Sequence, residues 1–174
     1  TQAIDVAVPT ENTPGKSSLD KTKVVNYSSV LLGTTYYDLQ TNSSPGRRIV
    51  LHSDGTISAV WTASPDDGDG FPNRGSGYNY YNGTDWLTGR DSRIESSTRT
   101  GWPSISVLDD GSELIASHQS NDGGFSISTN GTKGSTSFST SADVLDDETV
   151  QNVNRVPIWN RSVATNGKLH LISN

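Results

Sequence analysis

The stretch Ile49-Val50-Leu51-His52-Ser53-Asp54-Gly55-Thr56-Ile57-Ser58-Ala59-Val60-Trp61 decides the fold. Two short apolar runs flank Asp-Gly, a pair that tolerates positive φ, so the segment reads as two antiparallel strands joined by a two-residue type I′ turn. The arrangement returns as Asp110-Gly111 between Ile105–Leu108 and Leu114–Ala116, and as Asn166-Gly167 between Val163-Ala164 and Leu169–Ile172. From Gly55 to Gly111 and from Gly111 to Gly167 the spacing is 56 residues. A hairpin at that period leaves room for two further strands, which predicts an all-β fold of four-stranded antiparallel blades, a β-propeller; a compact sandwich of the same strands is the alternative.

Working outward, residues 1–46 read as an N-terminal arm with one or two edge strands around Val30-Leu31-Leu32 and Tyr36-Tyr37. A blade is expected over 47–102, with strands at 48–52, 56–63 and 78–81 and a turn at Asn82-Gly83 leading to Trp86. A second occupies 103–156, with strands at 103–108, 113–118, 124–129 and 135–140, and 142–154 reads as a short helix or an outer-strand excursion. Residues 157–174 supply the first half of a third. Two and a half blades leave unpaired edges, which native proteins avoid, so further strands are expected from a longer chain or from another subunit.

Composition narrows the function classes. Of the 174 residues 30% are hydrophobic, without a run long enough to cross a membrane, and 17 glycines suit many turns. A net charge of −6 and a pI near 4.9 argue against nucleic acid as a partner, because that demands a basic surface. With no cysteine there is neither a disulfide nor a thiolate site, and with no methionine the chain is expected to have lost an upstream segment such as a signal peptide.

In a meander of four strands, the loop from strand two to strand three and the link to the next blade emerge on one face, where function belongs. That face is expected to carry 64–74, 120–123, 93–102 and 152–155. Arg48, Arg99 and Arg155 lie near the starts of innermost strands, where forked guanidinium donors suit a carboxylate; solvated arginines flanking strands are the plainer reading. Trp102 and Trp159 near the same starts suit stacking on a sugar ring or packing between blades, and His118 ends its strand at this face. Asp66, Asp67 and Asp69, interleaved with glycines, offer oxygens to Ca²⁺ or form a solvated acidic loop; no other cofactor is expected. The paired carboxylates Asp109-Asp110 and Asp146-Asp147 point to opposite faces of a strand and cannot flank one glycosidic bond. No phosphate-binding glycine loop or metalloprotease motif occurs.

Thr34-Thr35-Tyr36-Tyr37-Asp38-Leu39-Gln40, Gly77-Tyr78-Asn79-Tyr80-Tyr81-Asn82-Gly83 and Thr100-Gly101-Trp102-Pro103-Ser104-Ile105 resemble segments of exported Bacteroidetes proteins of sialidase-like (BNR-type) propeller fold. Ser64-x-Asp66-x-Gly68 and Ser120-x-Asp122-x-Gly124 look like the Asp-box of that superfamily, although they follow the second strand of a blade and not the third. The resemblance implies a removed signal peptide, a propeller of six or seven blades, type IX secretion and delivery to the cell surface or medium. It does not supply a tyrosine nucleophile with a glutamate partner. The function expected is a glycan- or protein-binding module. The alternatives are a sialidase-like glycoside hydrolase, and a cargo or accessory subunit of a type IX secretion or surface assembly.

Overall fold

A computed structural model describes residues 28–41, 46–119, 124–144 and 158–173. Among them there is no helix, and nine strands form three antiparallel sheets. The first sheet runs β1 (Ile49–Leu51), β2 (Ile57–Ala63), β3 (Gly75–Tyr81), and Trp86 bridges back to Tyr81 where a fourth strand would begin. The second holds β4 (Thr100–Val107), β5 (Glu113–Gln119), β6 (Phe125–Asn130) and β7 (Ser139–Val144), in chain order. The third is the hairpin β8 (Arg161–Thr165) and β9 (Lys168–Ile172). No closed ring of sheets is formed among the described residues.

The three hairpins fall where the dipeptides predict them, but only one uses the predicted turn. Asn166 and Gly167 both have positive φ, 51° and 67°, and the register closes Thr165 on Lys168 across two residues. At Asp54-Gly55 only the glycine is left-handed, at 82°, its N–H donates to the His52 carbonyl, and His52 N–H donates to Thr56 O. The turn at Asp110-Gly111 repeats this, with Gly111 N–H on Leu108 O. Each aspartate accepts from the residue two ahead, Thr56 N–H and Oγ1–H or Ser112 N–H and Oγ–H, so the side chain fixes a longer turn that ends in a left-handed glycine.

Val50, Val60 and Tyr78 of the first sheet pack against Ile105 and Ile115 of the second to make the core. Around it the interior is filled by hydroxyls. Ser58, Thr62, Ser76, Ser104, Ser106, Ser117, Ser126 and Ser128 are buried, and Ser76 Oγ meets Ser117 Oγ at 2.6 Å across the two sheets. This is how a chain so poor in apolar residues still builds a packed interior: small side chains let the sheets approach, and most of the hydroxyls are paired, with each other, with Glu113 or with backbone. Ser126 Oγ is without a partner among the described residues.

Residues 28–41 contain no strand, in contrast to the expected edge strands. Short β1 covers only the first part of β2. Further along, the Gln40 side chain acts as a strand partner, accepting Thr62 N–H at 2.9 Å and donating to Thr62 O at 2.8 Å, while Tyr36 N–H donates to Ser64 O. The outer strand expected at 135–140 lies at Ser139–Val144, so the start of the segment read as helix or excursion, 142–144, continues it. The rest of that segment, with 120–123 and 155–157, lies outside the described residues.

Candidate functional site

The end of β2, the start of β3, the start of β4, the end of β5 and the residues before β8 come together opposite the Asp-Gly turns. β4 begins at Thr100, earlier than predicted, because a bulge between Gly101 and Ser104 lets it continue past Trp102. Trp102 sits in that bulge with φ of 50°, its N–H bound to Thr62 Oγ1 at 2.9 Å. The left-handed backbone turns the indole out of the alternation of the strand and over the end of the sheet.

Three rings contact Trp102, and a fourth stands behind one of them. His118 stacks on the indole at 5.4 Å and 28°, Trp159 meets it edge to face at 4.8 Å, and Tyr37 does so at 5.8 Å. Trp159 also touches His118 at 5.1 Å, and Phe71 stands against Tyr37 at 5.0 Å. The Arg74 guanidinium lies over the Trp102 ring at 4.4 Å and the Tyr37 ring at 4.9 Å, and its Nε–H donates to Thr100 O. Cation–π contact of this kind is strongest where the cation is desolvated, and Arg74 is buried. Burial, then the positive charges of Arg74 and Arg99, push His118 down to about 4, so its imidazole is neutral at physiological pH. Among the described residues Trp102 Nε1 and His118 Nδ1 are buried without a hydrogen-bond partner.

Trp102, Trp159 and His118, read from the sequence as neighbours of the functional face, thus belong to one cluster. Arg99 lies beside it, with two of its donors held by the 64–74 loop: Nε–H to Phe71 O at 2.9 Å and Nη2–H to Gly70 O. Arg48 lies elsewhere, donating Nη2–H to Gln40 O at 2.6 Å, with Nε and Nη1 buried and without a partner among the described residues. Burial lowers its pKa to about 10. Arg155 lies outside the described residues.

Asp66 is held inside its loop, accepting from Asn73 Nδ2 at 2.6 Å while its carbonyl accepts from Ser64 Oγ. Among the described residues Asp66, Asp67 and Asp69 do not form a group of three or more that could hold a metal ion. Phe71 and Arg74 lie in the 64–74 loop expected on this face, but neither they nor Tyr37 carry a local signal that marks them as site residues, because a loop and a strandless segment have no periodicity that fixes where their side chains go.

A second polar constellation lies at the turn end. Glu113, fully buried at the start of β5, accepts from Ser58 Oγ, from Tyr78 Oη at 2.6 Å and from Asn130 Nδ2 at 2.7 Å. His52 Nε2 is 2.9 Å from Ser58 Oγ and 3.7 Å from Glu113 Oε1. Serine, histidine and glutamate are present, but the carboxylate engages the serine directly and sits on the same imidazole nitrogen, so it cannot orient the histidine as a general base. With Tyr78 raised by burial and by this carboxylate, the group joins the first sheet to the second.

The chain matches no family model, no curated protein and no solved structure.

Proposed function

We propose that this chain is part of an exported β-propeller, each sheet a blade, which binds a glycan through the aromatic cluster at the end of the sheets opposite the Asp-Gly turns. The observation that carries the reading is the half-buried Trp102 ring with Trp159, His118 and Arg74 against it. An aromatic ring suits the C–H face of a sugar, and half-buried Trp159, at the edge of the cluster, is the ring on which one would stack. The blade reading is supported by the chain-order meander of the second sheet and by the 56-residue recurrence of its turn. Export to the cell surface or medium, with type IX secretion as the route, rests on the resemblance of the Thr34–Gln40, Gly77–Gly83 and Thr100–Ile105 segments.

Binding is tested by titrating neutral and acidic oligosaccharides against the protein while following tryptophan fluorescence, with Trp159→Ala as the comparison. Saturable quenching that Trp159→Ala abolishes is the expected outcome. A binding isotherm unchanged by that substitution, or no binding across a broad glycan panel, removes the reading.

A further inference from the structure

Asparagine followed by glycine is chemically labile, because a glycine nitrogen has no neighbouring side chain to keep it from the asparagine amide. The chain holds three such pairs, Asn82-Gly83, Asn130-Gly131 and Asn166-Gly167. As dipeptides they are equivalent, and only their surroundings tell them apart.

Asn130 is the last residue of β6 and is buried. Its Oδ1 accepts Glu113 N–H at 2.9 Å, and its Nδ2 donates to Glu113 Oε2 at 2.7 Å and to Ser135 O at 3.2 Å. Held at both ends, this amide cannot turn its carbon onto Gly131 N. Asn82 is exposed, but its Oδ1 accepts the N–H groups of Thr84 and Asp85, both at 2.9 Å, which fixes the amide along the turn. Asn166 has neither restraint. It is exposed at the tip of the β8–β9 hairpin, and among the described residues no hydrogen bond holds its amide or the Gly167 N–H.

The other two hairpin tips, where aspartate stands in place of asparagine, are closed to the same chemistry. Gly55 N–H is bonded to His52 O and Gly111 N–H to Leu108 O. Hydrogen bonds from Lys133 and Thr56 to Asp54, and from Ser112 to Asp110, hold both carboxyls below the ordinary range and so ionised, a form that a nitrogen nucleophile does not attack.

We infer that Asn166 is a self-modification site of this protein, deamidating through a cyclic imide formed with Gly167. The Gly167 nitrogen bonds to Asn166 Cγ, the Cγ–Nδ2 bond breaks, and Nδ2 leaves as ammonia with the proton that Gly167 gave up. Water then opens the ring, at Cγ to give aspartate or at the main-chain carbonyl to give isoaspartate. Water is the only co-reactant. Isoaspartate adds a methylene to the main chain inside a turn that closes Thr165 on Lys168 across two residues, so it strains the hairpin whose Ser162 meets Ser104 and Ser106. This chemistry is independent of what the aromatic cluster binds.

The test is incubation of the folded protein at mildly alkaline pH, with samples digested by trypsin and read by mass spectrometry. Cleavage after lysine and arginine puts the three pairs in separate peptides, 75–90, 100–133 and 162–168. Aspartate and isoaspartate are expected first in 162–168, and at Asn130 at least about tenfold more slowly, because reaction there waits for local opening. In denaturing urea the three rates converge. Conversion of Asn82 or Asn130 in the folded protein as fast as that of Asn166 overturns the inference. Rates as unequal in urea as in the folded protein also overturn it, because the order then belongs to the sequence and not to the fold. Asn166→Asp carries the new charge on an ordinary main chain and is expected to melt with the wild type, whereas the isoaspartyl form melts lower. An isoaspartyl form as stable as the wild type overturns the strain on the hairpin.

Discussion

Trp102 and Trp159 stand 57 residues apart, each in left-handed backbone with φ of 50° and 58°, and their rings meet edge to face at 4.8 Å. Trp102 lies in the first part of β4 and Trp159 two residues before β8, so equivalent departures from extended backbone bring two indoles together at one end of the sheets. The pair is a packing contact between successive sheets and the floor of the candidate site at once. Trp159→Phe preserves an edge-to-face contact and is expected to cost about 1 kcal/mol, whereas Trp102→Ala, which loses contacts with His118, Tyr37 and Arg74 as well, costs about 3 kcal/mol. Urea denaturation of both variants checks the ordering, and equal costs would contradict it.

Acid sensitivity follows from His118. Its pKa falls from 6.5 to about 4 on folding, so the unfolded chain binds a proton that the folded chain refuses. Stability contributed by the neutral ring is whole above 6.5 and declines as the pH drops toward 4. His118→Phe is expected to flatten this part of the profile of melting temperature against pH. A variant that keeps the full wild-type slope between those values would show that other groups are responsible.

Glu113 accepts from Ser58, Tyr78 and Asn130, and no solvent reaches it. Glu113→Ala leaves the Tyr78 hydroxyl and the Asn130 amide without their acceptor and is expected to destabilise by about 3 kcal/mol. Glu113→Gln retains one acceptor oxygen and should fall between the wild type and the alanine variant. Equilibrium unfolding of the pair, with Gln no better than Ala, would argue against the hydrogen bonds as the cause.

Trp61 is pressed between two glycines. A Cβ on Gly77 would stand 2.2 Å from its ring, and one on Gly33 would stand 2.3 Å away. Gly77→Ala is therefore expected to cost about 2 kcal/mol through overpacking, although alanine is otherwise the better strand residue. Combining it with Trp61→Leu should recover part of that cost, and a Gly77→Ala chain as stable as the wild type would mean that the strand simply shifts.

Arg48 carries a buried charge with two donors, Nε and Nη1, that have no partner among the described residues. Replacing such a group with an apolar one of similar length removes a desolvation penalty, so Arg48→Met is expected to lie within about 1 kcal/mol of the wild type or above it. A large loss in thermal denaturation would show that the guanidinium is engaged after all.

The strands around Asp54-Gly55, Asp110-Gly111 and Asn166-Gly167 were legible because turn chemistry and apolar alternation are local. The turn geometry was legible only in part, since Thr56 and Ser112 engage the preceding aspartates and lengthen two of the three turns. The missing edge strand in 28–41 was not legible, because its place beside Thr62 is taken by the side chain of Gln40 and not by a run of backbone. In the candidate site, the tryptophans and His118 could be placed from strand order, whereas Tyr37, Phe71 and Arg74 enter through loops whose path no periodicity describes.

By itself the sequence determined an all-β chain, its period of 56 residues and the end of the sheets on which loops and innermost strand starts gather, because these follow from residue-by-residue backbone preference. Tertiary structure alone decided which rings touch Trp102, that Arg74 and not Arg48 lies against them, and that Glu113 is sealed between two sheets. Those outcomes depend on how closely faces rich in serine can approach, a property of the stacked sheets that no single strand contains.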